Sequence, residues 1–193
     1  NGNSDAEGRL VMADALARSN ADAPDLVVDV ATLTGAAVVA LGDRTAGVRA
    51  TDDPTAQRVL DAARLAGEPF WQLPIPAETR AKLDSTVADL RSTGTDRAGG
   101  ALVAAAFLRE FVDAPTPWAH LDIAGPAFRT GSPEGAFSTG GTGVGVTTLV
   151  ELARSLADGT VPLPVAAPFG LDDIEQAVTT SLSPRVGKVL LRP

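Results

Sequence analysis

The sequence lacks cysteine and has a single histidine, His120. Disulfide bonds, thiol catalysis and cysteine-based zinc sites are therefore excluded, and a metal centre would have to be built mainly from oxygen ligands. An excess of positive charge is missing too, because the formal net charge is −8 at pH 7. That balance argues against sequence-independent nucleic-acid binding, which needs a basic surface.

Long hydrophobic runs are also absent. The longest apolar stretch, LVVDVATLTGAAVVAL from Leu26, contains Asp29 and two threonines, so it is too short and too interrupted to span a bilayer. No signal peptide opens the chain, and we therefore expect a cytoplasmic protein. The 193 residues are 45% hydrophobic and 21% charged, which is typical of a soluble globular domain with a core.

Helical and strand patterns alternate along the chain and predict an α/β fold with a layered α/β/α mixed sheet. The alanine-rich segment 36–42 could continue a strand or begin a short helix. Because ligands bind at the carboxyl ends of strands in such sheets, the turns after VDVATL and AHLDIAG are the candidate site. The predicted helices are 4–20, 52–67, 101–113 and 147–159, and the predicted strands are 25–35 and 117–125, with an edge strand in 68–76.

The stretch NSDAEGRL, residues 3–10, has two carboxylates and a guanidinium at a spacing of two. In an extended segment Asp5, Glu7 and Arg9 would point the same way. Two carboxylates could then hold a divalent cation, with Arg9 binding a small anion. Alternatively, Ser4 and Glu7 form a capping box and Asp5 favours the helix dipole. Arg9 does not suit this second interpretation, because a cation is unfavourable in a first helical turn.

The same stretch closely resembles the signature of the leucyl aminopeptidases, the cytosolic M17 family of metallopeptidases, which usually has Thr where this chain has Ser4. Further segments are similar to family blocks and follow in family order, over about residues 1–157. A partial M17 catalytic domain is therefore expected in that part of the chain. The similar segments are LVVDVATLTGAAVVALG, GEPFWQLP, S-x-x-ADLR-x-x-G at 85–94, GGALVAAAFLREFV, WAHLDIAGPAF and GGTGVGV.

The resemblance implies roles for the signature residues. Asp5 and Glu7 would be ligands of a centre of two divalent metal ions, manganese or zinc. Arg9 would be the catalytic residue that holds the bicarbonate-type anion serving as general base. The implied reaction is hydrolysis of the first peptide bond of a peptide with a free N-terminus, with leucine-type preference, by water that the metals activate.

The resemblance also implies a substrate site at ATLTG. Thr32 and Gly35 would form walls of the side-chain pocket, and Leu33 would contribute backbone polar groups. Family members assemble as hexamers, which we expect of the intact enzyme. His120 falls in a family block without a known catalytic role, and a structural role is expected for it.

Part of the family pattern has no counterpart in this sequence. The family's site also uses two lysines and two aspartates that precede its signature, whereas here only residues 1–3 precede it. The two lysines of the chain, Lys82 and Lys188, lie outside that context. We therefore expect a chain that begins inside a domain and has half of the metal ligands. Such a chain would bind metal weakly and have little peptidase activity alone.

Two other function classes stay open. A catalytically silent structural or interaction module would keep the fold with half the site. An NADPH-dependent oxidoreductase fragment is suggested by the tail, 158–193, which resembles the C-terminal segment of quinone-reductase-type medium-chain reductases; a family-specific extension is the alternative. The Gly-rich loop STGGTGVGV opens a helix, but its glycines do not form the G-x-G-x-x-G pattern of dinucleotide sites.

Overall fold

A mixed β-sheet between helices forms the frame of the chain. The computed structural model describes residues 6–132, 139–156, 165–170 and 188–192. Contacts divide the chain into two units, Asn1–Leu152 and Ala153–Pro193. The elements of the first part are α1 (Gly8–Ser19), β1 (Val27–Ala31), α2 (Gly35–Leu41), β2 (Ala46–Ala50), α3 (Asp53–Ala66), β3 (Phe70–Gln72), α4 (Gly100–Arg109), β4 (Trp118–Asp122), β5 (Phe128–Arg129), β6 (Gly140–Gly141) and α5 (Val146–Leu156), with 3₁₀ segments at Asn20–Asp22 and Ala77–Leu83.

The main sheet has the strand order β1-β4-β2-β3. β1 is parallel to β4, β2 is parallel to β3, and β2 is antiparallel to β4. The predicted α/β class with a mixed sheet is therefore confirmed. β2 was not predicted, because Gly47 and the charged Arg49 interrupt the apolar run expected of a buried strand.

Residues of β4 alternate between two hydrophobic clusters, as strand geometry requires. Trp118 packs in a cluster with Leu16 of α1 and Phe107 of α4. Ala119 and Leu121 pack in a second cluster that includes residues of α3 and α5. Helices thus cover both faces of the sheet, which is the expected α/β/α layering.

Local signals fix the starts of the helices. Segment 36–42, left open between strand and helix, is helical as far as Leu41 in α2, because Thr34 Oγ1 accepts the Ala37 N–H at 3.0 Å as an N-cap. α3 begins after Asp52, whose carboxylate accepts the Thr55 N–H at 2.7 Å. α1 begins at Gly8 rather than near Ser4, and its N-cap Glu7 makes no side-chain capping bond.

The second unit contains two parallel strands, β7 (Val165–Gly170) and β8 (Lys188–Arg192). The sequence of the tail predicts a strand, a turn, the helix LDDIEQAVTTSL, a turn and the closing strand GKVLLRP. The two observed strands agree with this order, whereas the predicted helix lies outside the described residues. The domain boundary at 157/158 stays a prediction. Within the described ranges, no helix has the length and apolar character needed to cross a membrane.

Candidate active site

From Ala6 onward, the N-terminal signature does not adopt the extended conformation that the spacing argument assumed. Glu7 has helical dihedral angles, and Arg9 lies in the first turn of α1. Since a helix does not place residues two apart on one side, Glu7 is exposed while Arg9 is buried, with 9% exposure. Asp5 lies outside the described residues, as does Ser4, so the capping-box alternative is described only at Glu7, whose side chain makes no capping bond.

The Arg9 guanidinium is held against a loop of the same unit. Its Nη1 donates to the Ser92 carbonyl oxygen at 2.7 Å. Its Nε is buried and has no hydrogen-bond partner in the described part of the chain. Burial lowers the pKa of Arg9, and the negative charge of Asp122 acts in the opposite direction. The guanidinium therefore keeps unused donor capacity, which suits a small anion.

The predicted substrate residues form the turn between β1 and α2. Thr32 and Gly35 are exposed, and Leu33 is half-buried against the cluster of α1 and α4. A Cβ placed on Gly35 would meet no atom within 4 Å beyond its chain neighbours and its own helix backbone. Open space therefore lies beside the turn, as a pocket wall requires.

Asp122 connects this turn to the end of β4, and sequence reasoning assigned it no role. Its carboxylate accepts N–H groups of Leu33 at 3.2 Å, Thr34 at 3.4 Å and Ala124 at 3.3 Å. It also accepts the Thr34 hydroxyl at 2.7 Å. The available signal was an acidic residue closing a buried strand, directly before the loop at which ligands are expected.

The negative charge of Asp122 acts on two buried cations, Arg49 and Arg9. Arg49 Nη1 is 3.7 Å from Asp122 Oδ2, with both side chains fully buried. Burial lowers the pKa of Arg49, while Asp122 raises it, as for Arg9. Asp122 thus accepts a hydrogen bond from the Leu33 turn, and its charge acts on Arg9 of the signature.

His120 lies next to these groups on β4 and is fully buried. Its Nδ1 pairs with Asp29 of β1, and the other oxygen of Asp29 accepts the indole N–H of Trp118 at 2.6 Å. These contacts hold the His120 imidazole in its buried position on the sheet. They agree with the structural role that was expected for His120.

The described residues do not make a metal centre by themselves. No group of three or more His, Cys, Asp or Glu side chains suited to a metal occurs among them. Glu7 is exposed and offers a carboxylate, which is a suitable ligand for a hard cation. The described part therefore fits one ligand of such a centre.

The Gly-rich loop before α5 is occupied by a side chain of the protein. Glu68 accepts the N–H groups of Gly145 and Thr148, each at 3.0 Å, and the Thr148 hydroxyl at 2.5 Å. A carboxylate thus already satisfies the helix N-terminus that would bind a dinucleotide phosphate. This arrangement gives no support to the oxidoreductase alternative.

The mixed sheet with two strand-end turns joined by Asp122 defines the class as α/β folds, in which ligands bind at the carboxyl ends of strands. Comparison with known proteins then identifies the family. Residues 2–150 match the catalytic-domain model of the cytosol aminopeptidase family. The chain belongs to this family.

Individual relatives agree with that assignment. A probable cytosol aminopeptidase of Cutibacterium acnes is 55% identical over 157 residues, which are 81% of this chain and 31% of the relative. The bottromycin maturation enzyme BotP, solved in complex with Mn, is 50% identical with a TM-score of 0.74, over 78% of this chain and 34% of that one. A mutant of tomato leucine aminopeptidase is 41% identical with a TM-score of 0.74, over 79% and 29%. The chain thus spans about a third of the length of the proteins it matches.

Proposed function

We propose that this chain is a catalytic portion of a metal-dependent aminopeptidase, which releases N-terminal amino acids, with leucine-type preference, from peptides. The single observation that carries the proposal is the match of residues 2–150 to the catalytic-domain model of the cytosol aminopeptidase family. The match includes both the signature with Arg9 and the turn with Leu33, whose backbone N–H donates to Asp122.

In this proposal Asp5 and Glu7 supply carboxylates to a centre of two divalent ions, and the remaining ligands do not come from the described residues. Bound manganese or zinc would supply Lewis-acid and water-activating chemistry. The metal present in a BotP structure supports manganese. Arg9 would hold a bicarbonate-type anion near the substrate, and its unused Nε–H group supports that role.

The turn at 32–35 would bind the substrate. Thr32 and Gly35 border the open space where the first side chain of the peptide would lie. Leu33 would contribute backbone polar groups, held in place while its side chain packs in the core. A cytoplasmic location and a hexameric intact enzyme complete the proposal.

Metal binding tests the role of Glu7 directly. We expect the 193-residue chain to bind fewer than two Mn²⁺ ions, and weakly, in a titration followed by calorimetry. Glu7→Gln should lower Mn²⁺ affinity about tenfold or more, because an amide oxygen carries no charge for a hard cation. Stability should change by less than about 0.5 kcal/mol, since Glu7 is exposed and makes no capping bond.

Glu78→Gln is the matched control, because Glu78 is an exposed glutamate in the first turn of a 3₁₀ segment. It should leave Mn²⁺ affinity unchanged. Hydrolysis of a leucyl anilide that needs Mn²⁺, and that Glu7→Gln reduces while Glu78→Gln does not, would support the peptidase. Metal bound without any turnover would favour the silent module, and equal Mn²⁺ affinity of all three proteins would remove Glu7 from the metal centre.

A further inference from the structure

We propose that Asp122 is a positioning residue for the aminopeptidase reaction: its buried carboxylate fixes the backbone of the substrate turn at 32–35. The inference rests on the proposed function for the substrate and on hydrogen bonds for the positioning. Asp122 is the last residue of β4 and pairs in register with Ala31, the last residue of β1. The carboxylate is therefore placed where both turns leave the sheet.

The hydrogen bonds of Asp122 join two turns that are far apart in sequence. Leu33 and Thr34 donate backbone N–H groups from the turn after β1, and Ala124 donates one from the turn after β4. Thr34 adds its hydroxyl and uses the same oxygen atom to cap α2. The Asp122 side chain thus fixes the turn after β1 and the turn after β4. Through Thr34 it also fixes the start of α2.

An ionised carboxylate suits this position better than an amide. Among the described residues, the groups that act on Asp122 are donors or cations: three N–H groups, one hydroxyl, the Arg49 guanidinium at 3.7 Å and the charge of Arg9. An asparagine would turn its own NH₂ group toward some of these donors, because it has only one acceptor atom. Gly47 provides the room for Arg49, since a Cβ there would lie 3.1 Å from Arg49 Nη1.

We expect the fixed turn to affect substrate binding and not metal binding. A turn whose amides are fixed by a buried charge presents its remaining polar groups in one arrangement, which lowers the entropy lost on binding. Releasing the turn should therefore weaken substrate binding. Glu7 is not among the groups that contact Asp122, so metal affinity should stay unchanged.

The test compares Asp122→Asn with Asp52→Asn in the whole chain. Asp52 also accepts a backbone N–H at a helix start, but on α3 and away from the turn. We expect Asp122→Asn to speed amide hydrogen exchange at Leu33, Thr34 and Ala124 about tenfold or more. KM for a leucyl anilide with Mn²⁺ should rise about tenfold, by a larger factor than kcat falls, with Mn²⁺ affinity little changed. Asp52→Asn should leave the exchange of the turn and KM unchanged.

If Asp122→Asn leaves Arg49 as an uncompensated buried cation and the protein does not fold, the double variant Asp122→Asn with Arg49→Met removes both charges. The same exchange and KM increases are expected for it. Unchanged exchange at Leu33 and Thr34 would overturn the inference, and so would faster exchange with unchanged KM. A parent chain that neither binds nor hydrolyses the leucyl anilide contradicts the proposed function, whereas the exchange rates still decide whether Asp122 fixes the turn.

Discussion

Polar side chains line up across three neighbouring strands of the sheet at a single level. Asp29, His120 and Arg49 are in register on β1, β4 and β2. Asp122 follows two residues after His120 and shares its face of β4, because strand side chains alternate. Each of these residues is a poor choice for a sheet core taken alone. Together they pair Asp29 with His120 and Asp122 with Arg49.

A residue-scale prediction concerns Gly125, the glycine of the WAHLDIAG segment. A Cβ at this position would lie 2.2 Å from the Gly42 carbonyl oxygen, and a backbone oxygen cannot move aside as the end of a flexible side chain can. We expect Gly125→Ala to lower the free energy of unfolding by about 2 kcal/mol or more. Thermal and urea unfolding of the purified chain would measure the loss.

Gly131→Ala is the matched control for Gly125→Ala, because a Cβ at Gly131 would meet no atom within 4 Å. Its stability should stay within about 0.5 kcal/mol of the parent chain. Equal stability of both variants would show that the turn at Gly125 adjusts without cost and that the close approach to Gly42 does not matter.

At the scale of elements, the sequence predicted the helices and strands that have a regular apolar period and standard signals at their ends. α3 has Pro54 in its first turn and Gly67 in the left-handed conformation after its end, as expected. β4 is an uninterrupted buried strand. β2 could not be predicted in this way, because Arg49 is stabilised through a partner across the sheet and local periodicity carries no information about that partner.

The residues of the candidate site also differ in whether the sequence alone could predict them. Residues of the turn after β1 could be predicted, because strand-end turns bind ligands and the ATLTG segment resembles a family block. Asp122 was missed, since its hydrogen bonds to Leu33 and Thr34 span nearly ninety residues of sequence. The common side of Glu7 and Arg9 was wrong, because Glu7 already has helical dihedral angles as the N-cap and Arg9 lies in the first turn of α1. Long-range pairing and the exact start of a helix are both decided by tertiary contacts.

An element-scale prediction concerns the N-cap of α3. Asp52→Ala should lower the free energy of unfolding by about 1 kcal/mol at pH 7, because the Thr55 N–H loses its acceptor. Asp52→Ser should recover most of that loss, since serine is also a good N-cap. Chemical unfolding of the three proteins under the same conditions measures both differences. A serine variant as unstable as the alanine variant would contradict the capping role.

The same N-cap predicts a dependence on pH. The Thr55 N–H, as the largest cause, holds the pKa of Asp52 below its ordinary value. A depressed pKa in the folded state adds stability above the unfolded pKa of about 3.9, and this contribution disappears as the pH falls through the folded pKa. The stability gap between parent and Asp52→Ala should therefore be the same at pH 7 and pH 5. It should shrink as the pH falls below about 3.9, and a gap that grows with acid would contradict this assignment.

At the scale of the whole molecule, the chain combines a family domain portion with a tail of different character. The family model ends at residue 150, the contact-defined unit ends at Leu152, and α5 continues to Leu156. The proposed boundary at 157/158 keeps α5 whole. Leu152 of this helix is buried in the cluster that contains Val48 and Val59, so α5 belongs to the core of the first unit.

Shortened chains test this boundary. A chain of residues 1–157 should keep one cooperative unfolding transition with a Tm within about 3 °C of the full chain, because the clusters on both faces of the sheet stay complete. A chain of residues 1–145 should lose several degrees or fail to fold, because it removes Leu152 from its cluster and leaves the Glu68 carboxylate without the Thr148 donors. Differential scanning calorimetry separates these outcomes. A 1–157 chain as unstable as the 1–145 chain would show that the first unit needs residues 158–193, and the two-domain division would then be wrong.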